Sequence, residues 1–294
     1  MNKIKEWMKP RYREFKLSFY LLNRNLLTRC AMILVLALVV LAILAPVIVP
    51  YPGHIELEND PANMLQAPSM AHLFGTDELG RDIFSRVIYG TRISLRASLS
   101  AVALAVVFGM LLGAIAGAAG GIVDEIIMRF TDIFLSFPSL LLAIALASFL
   151  SPSLTNAMLA ISVSWWPWYT RIVRGQAVSI RERQFVRAAR AIGTSEIMIV
   201  FKHIIPNTIA QVIVQASMDI GGVIMTLASL SFLGLGAQAP TPEWGLMINT
   251  GRNYFQTAPW CSVFPGLAIF LTVLAFNLLG DGLREVLDPK TRKL

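Results

Sequence analysis

From Ile133 to Thr170 the chain reads IFLSFPSLLLAIALASFLSPSLTNAMLAISVSWWPWYT, without a single charged side chain. About twenty residues at roughly 1.5 Å rise cross a hydrocarbon core of about 30 Å. This one run is therefore long enough for two membrane helices, joined at Ser151-Pro152-Ser153. Outward from it, Ala97 to Val123 carries no charge, and neither does Cys30 to Val49. On the other side, Ile204 to Pro242 is interrupted by one acid, Asp219, and Asn253 to Gly280 is uncharged. The reading is an all-α integral membrane protein with six transmembrane helices. The chain then divides into a basic segment 1–29, a first helix 30–49, an outer loop 50–91, a five-helix core 92–281 and a tail 282–294. The basic stretch before Cys30 also fits a signal peptide, but the apolar run is longer than the apolar region of such a peptide, so it reads as an uncleaved anchor.

Composition agrees. Of 294 residues, 55% are hydrophobic and 15% charged, against about a quarter charged in an ordinary soluble domain. The formal charge of +7 raises a nucleic-acid role, which the placement of the cations disfavours. Segment 1–29 holds eight Lys and Arg against two acids, and 171–203 seven against two. Segment 281–294 holds four against three, whereas 50–92 holds three against six. By the positive-inside rule both termini and the loop between spans four and five are cytosolic, and the excess charge is accounted for by topology, with no nucleic acid as partner. Cys30 and Cys261 are too few and too far apart for a disulfide framework. The three histidines His54, His72 and His203 form no metal-ligand pattern. No Gly precedes a Lys, so the loop GxxxxGK[ST] is absent and ATP, if it drives this protein, must be bound by a partner.

Gly109, Gly113, Gly117 and Gly121 recur every fourth residue, which predicts a helix-packing face where a neighbouring backbone approaches closely. Trp165, Trp166, Trp168 and Tyr169 read as interfacial anchors at the cytosolic end of span four. Asp219 is the only acid inside a predicted span. Such acids face protein or water and are functional candidates; this one fits either a hydrogen bond to a neighbouring helix or contact with a passing amine or hydrated cation. Thr226, Ser229 and Ser231 follow it on the same helix and would satisfy it under either account. In the outer loop, Asp77, Glu78, Arg81, Asp82 and Arg86 read as an internally paired cap that braces the first two spans, with contact to a docked binding protein as the alternative. Trp244, between spans five and six, fits an interface anchor or a lid.

The loop after span four holds Phe185-Val186-Arg187-Ala188-Ala189-Arg190-Ala191-Ile192-Gly193 and, further on, His203-Ile204-Ile205-Pro206-Asn207. Arg181 to Ile192 favours a helix, Gly193 a tight turn, and Ser195 to His203 a second helix that Pro206 interrupts. The result is a helical elbow under the membrane, about residues 181–206, whose small pair Ala188 and Ala189 would let it sit deep in another protein. An ordinary basic loop is the plain alternative.

The spacing Ala-Ala, three residues, Gly, twelve residues, Pro resembles the EAA loop by which importer permeases of the ATP-binding-cassette class dock on their ATPase subunits. Phe74 to Asp82 with Ser85 and Arg86, Leu230 to Ala237 with Pro242-Glu243-Trp244-Gly245, and Ala275 to Arg284 look like the second permease subunit of the dipeptide, oligopeptide and nickel importer family. The resemblance runs from about residue 20 to the end. It implies a type I importer permease fold in a prokaryotic inner membrane. It also implies a homologous second permease, two ATPase subunits that carry ATP and Mg, an extracytoplasmic binding protein, and a membrane-embedded chain that itself binds no cofactor or metal and catalyses nothing. Coupling would then run through Arg187, Ala188, Ala189, Gly193, His203 and Pro206, and the fifth span, with Asp219, Thr226 and Ser229, would line the path. Two positions depart from the pattern: Arg187 stands where Glu is usual, and His203 where Ile is. The implied cargo is a short peptide, with nickel or a metal chelate as the alternative. A secondary transporter using Asp219 is the rival from another class, without the paired broken helices such folds show.

Overall fold

The computed structural model describes residues 20–55 and 58–287. Expectations for residues 1–19 and 288–294 lie outside the described part. Ten helices organise the rest: α1 (Leu26–Ile48), α2 (Ile83–Ala119), α3 (Gly121–Leu135), α4 (Ser139–Ser148), α5 (Leu154–Arg181), α6 (Gln184–Ala191), α7 (Glu196–Ile199), α8 (Ile205–Phe232), α9 (Trp244–Gly251) and α10 (Trp260–Leu287). No strand occurs among the described residues, only an isolated antiparallel bridge between Thr76 and Asp82.

Local chemistry sets the boundaries. Asn25 caps α1 by accepting from Leu27 N at 3.0 Å, Asp82 caps α2 by accepting from Ser85 N at 2.7 Å, and Ser153 caps α5 by accepting from Asn156 N at 3.1 Å, each satisfying an otherwise orphaned amide. The second span begins at Ile83, earlier than Ala97, so the last residues of the predicted 50–91 loop are helical. It ends at Ala119, before Val123, because Gly120 and Gly121 take positive φ of 67° and 54° and turn the chain. At the other end α10 carries the core past 281, through Leu287.

Four helical stretches are long and apolar enough to cross a membrane: α1, α2, the continuous run Glu196–Phe232 and α10. The α3–α4 pair makes a fifth if taken as one span, but it bends by 85°. The uncharged run from Ile133 therefore does not open a straight third span. Its helix starts back at Gly121 and breaks at Ser136-Phe137-Pro138, where Pro disfavours a helical predecessor and removes an amide. The sixth segment, α5, is 28 residues long but mixed in polarity, and it lies between α2 and α8.

The core is largely the α2–α5–α8–α10 assembly, with Ile161, Val223, Leu227, Leu230 and Trp244 fully enclosed. Along α2 a Cβ on Gly109 would fall 2.5 Å from Trp166 O and from Tyr169 Cβ, and Cβ atoms on Gly113 and Gly117 would press on Thr170 O and Ala177 Cβ. The seam is internal to the chain, against α5. Gly121 is not part of it: a Cβ there meets nothing, because the chain has already turned into α3.

Candidate functional site

The elbow is built as two short helices around Gly193. After α5 ends, α6 carries Val186 and Ala189 inward, three residues apart on one face. Ala189 therefore belongs to the chain's own core, and the small pair does not face outward together; Ala188, Arg187 and Gly193 are exposed. Gly193 takes φ +85°, and Ser195 then caps α7 through Met198 N. Pro206 does not interrupt the helical path beyond α7. The turn Val200–Ile204 is a π-helix in which Ile205 N reaches back to Val200 O. One wide turn absorbs the missing Pro206 amide, and the helix runs on into α8. His203 is half-buried, its ring 5.9 Å from that of the exposed Phe185. The outer face of the elbow is apolar and open: Ile192 is 84% exposed, Ile197 74% and Phe201 56%.

Two arginines hang the elbow from the end of α2. Arg181 donates to Gly117 O at 3.3 Å and Arg190 to Ala118 O at 3.5 Å, which places cations on carbonyls that a helix C-terminus leaves free. Arg190 also forks onto Glu196 of α7 at 2.7 and 2.9 Å, which joins the elbow's two helices. Nearby, Arg174 pairs with Asp124 at 3.0 and 2.6 Å and Arg171 with Asp132, tying α5 to α3. Neither Arg181 nor Arg190 stood out in the sequence beyond their contribution to net charge; their position opposite the α2 terminus is a product of the fold.

The candidate path residues do not form one group. Thr226 donates to Gly222 O at 2.9 Å and Ser229 to Met225 O at 2.8 Å, each back onto its own helix, while Ser231 Oγ accepts from Ala237 N at 3.2 Å. None of these bonds reaches Asp219, so that part of the expectation is corrected: hydroxyls on a helix bond most easily to the carbonyl four residues back. Asp219 Oδ1 instead accepts from Gln215 Nε2 at 2.8 Å. The aromatic cluster is also relocated. Trp165 to Tyr169 lie near the middle of α5, Trp166 and Tyr169 are buried, and only Trp168 is half-exposed. Trp166 and Tyr169 are interior residues rather than interfacial anchors.

At the far end of the molecule the outer cap is densely paired. Arg81 Nε meets Asp77 Oδ2 at 2.8 Å, Arg86 Nη1 donates to His54 O at 3.0 Å and Nη2 to Pro240 O at 3.2 Å. His72 Nδ1 lies 2.9 Å from Asp82 Oδ1, and Tyr51 stacks on His54. Burial, then the neighbouring Asp77, pushes the Glu78 carboxyl above its usual range. Trp244 is neither anchor nor lid: it is fully buried, with Nε1 donating to Val87 O at 3.1 Å. Among the described residues no group of three or more His, Cys, Asp or Glu is placed to hold a metal ion.

An all-helical membrane body with a basic, partly apolar elbow at one end and a paired cap at the other is the architecture of a transport permease. Residues 109–293 match the family described as "Binding-protein-dependent transport system inner membrane component". The chain is 47% identical over 275 residues to a dipeptide transport system permease protein of Alkalihalophilus pseudofirmus, covering 94% of this chain and 90% of that one. It is 48% identical over 270 residues to a glutathione transport system permease protein of Shigella flexneri, covering 92% and 88%. A chain of the MetNI methionine ABC transporter in an inward-facing form overlaps 66% of this chain and 94% of its own, with a TM-score of 0.48 and 20% identity. The chain belongs to this family of multi-pass inner-membrane proteins and is an ATP-binding-cassette transporter permease.

Proposed function

We propose that this chain is one permease of an ATP-driven importer of short peptides, pairing with a homologous permease, two ATPase subunits and an extracytoplasmic binding protein. The carrying observation is the elbow: Ile192, Ile197 and Phe201 are exposed on a unit that is tied by Arg181 and Arg190 to α2. An exposed apolar patch rimmed by cations is a docking surface. A rigid link to a membrane helix lets movement of the docked partner reach the spans. ATP and Mg are bound by the partner subunits; this chain catalyses nothing. Both termini and the elbow face the cytosol, a reading that the cation distribution supports, and the outer cap faces the binding protein's side. Closing of the ATPases on ATP pulls the elbow and rocks the spans between inward-open and outward-open states, each state selected by its own contacts at the ATPase interface.

The names of the dipeptide and glutathione permeases support peptide cargo. The test is purification of the complex through a tag on this chain, followed by ATPase and uptake assays with binding protein loaded with a dipeptide or with nickel. Stimulation by the dipeptide is expected. Stimulation by nickel alone would reassign the cargo, and a complex without ATPase activity would overturn the importer reading.

A further inference from the structure

The cations of the elbow divide into those that its own fold uses and those that it leaves free. Arg181 and Arg190 reach the carbonyls at the end of α2, and Arg190 also holds Glu196. Arg183, Arg187 and Lys202 are exposed, and among the described residues their side chains make no hydrogen bond or ion pair. Arg187 N donates to Arg183 O at 3.0 Å. The two side chains therefore rise one turn apart from the same stripe of α6, like charges at a spacing that weakens a helix. The stripe continues through Ala191, with Ala188 beside it, and points away from the enclosed Val186 and Ala189.

A helix that lies on lipid sets apolar side chains opposite its cations; in α6 those positions, Val186 and Ala189, are already enclosed in the chain's own core. A close-fitting protein cleft suits the stripe better, because Ala188 and Ala191 let the cleft wall come near the helix backbone. The closer the fit, the less water reaches Arg187. A guanidinium shut away from water without a counter-charge is strongly destabilising. The elbow's own carboxylates are engaged elsewhere, Glu196 by Arg190 and Glu182 by Arg181, so the counter-charge has to come from the partner.

We infer that the ATPase cleft receiving this elbow carries an Asp or Glu aimed at Arg187, and that this pair, more than the apolar patch, selects the partner. A carboxylate is the group that a guanidinium fork matches with two parallel hydrogen bonds, and one placed beside Arg187 also relieves its repulsion from Arg183. The apolar patch of Ile192, Ile197 and Phe201 supplies contact area without choosing among partners, whereas a cleft with a cation or no charge opposite Arg187 is rejected. The inference rests on the ATPase-docking reading above and names the chemistry of the surface that the elbow meets.

Arg187→Lys keeps the charge and supplies an amine that a carbodiimide condenses with a touching carboxylate. In the whole complex, purified through a tag on this chain, that variant is expected to cross-link to an Asp or Glu of the ATPase, located by mass spectrometry; Arg187→Met is expected to give no link from that position. Arg187→Glu is expected to lower the amount of ATPase that purifies with the chain by about tenfold or more, and exchange of the located acid for arginine to restore most of it. Absence of the cross-link, with ATPase binding unchanged by Arg187→Glu, overturns the inference and leaves a solvated arginine. If Arg187→Glu leaves ATPase binding intact and instead lowers uptake only in proteoliposomes rich in anionic lipid, the stripe meets the membrane surface and the inference fails. A wild-type complex that contains no ATPase subunit overturns the docking reading itself, and the inference with it.

Discussion

Gly113 and Gly175 both sit in long helices, and the difference between them decides which is replaceable. A Cβ on Gly113 would collide with the α5 backbone, whereas one on Gly175 meets nothing within 4 Å. Gly113→Leu is therefore expected to part α2 from α5 and cost well over the roughly 1–3 kcal/mol typical of overpacking. Gly175→Ala should be neutral or slightly stabilising, since Ala is the better helix former by about 1 kcal/mol. Thermal unfolding of the purified protein checks both, and equal effects would refute the seam. Glu78 supplies a second case at this scale. A carboxyl held above its unfolded value binds its proton more tightly in the folded chain. It contributes stability below the unfolded value that is lost as pH rises through the folded one. Glu78→Gln removes that loss, so the variant should gain on the wild type near pH 8 and the gain should shrink toward pH 4. A gain that does not vary with pH would refute the assignment. The glycine spacing and the lone acid Asp219 were legible in the sequence because period four and charge in an apolar run are one-dimensional signals. Tyr169 and Trp166 were not, since an aromatic next to arginines reads as an interface anchor until the helix is seen to run on to Arg181.

Among the elements, the elbow was legible in outline and wrong in two details. Helix, Gly turn, helix followed from local chemistry, but the inward turn of Ala189 depends on what α6 packs against, and the π turn that absorbs Pro206 leaves no mark in the sequence. The α3–α4 break was hidden differently: Phe137-Pro138 stands inside an uncharged run, and absence of charge outweighed the proline. Gly193 carries the elbow's sharpest prediction. At φ +85° an L side chain is strained by roughly 1–2 kcal/mol, and proline, fixed near −65°, cannot adopt it at all. Gly193→Ala should reduce ATP-coupled uptake several-fold. Gly193→Pro should abolish it while the chain still reaches the membrane fraction, as immunoblotting and an uptake assay would establish. Full uptake by the proline variant would remove the elbow from the coupling route.

Across the whole molecule, α2 joins the cap to the elbow over 37 residues, about 55 Å at roughly 1.5 Å per residue, and the ion pairs around its two ends differ in kind. At the outer end Arg86 and Asp77 are enclosed, with side chains 5% and 10% exposed. Beyond its inner end, where the chain has turned into α3, Asp132 of α3 pairs with Arg171 of α5, with side chains about half-exposed, at 49% and 50%. Breaking a buried pair costs about 3–5 kcal/mol because a charge is left stranded, whereas an exposed pair is worth about 0–1 kcal/mol and is screened by salt. The cap end of α2 is thus built to stay closed, whereas the α3–α5 contact can rearrange at little cost while the elbow stays tied to α2 through Arg181 and Arg190. Arg86→Met should lower the thermal midpoint by several degrees, moderated because Asp77 keeps Arg81. Arg171→Met should leave the midpoint within about a degree and instead change the salt dependence of coupled uptake. Thermal scans and uptake at low and high salt separate the two. Equal destabilisation by both variants would mean that the cap and the α3–α5 contact are equally fixed, and that rocking must pivot elsewhere than at the cap.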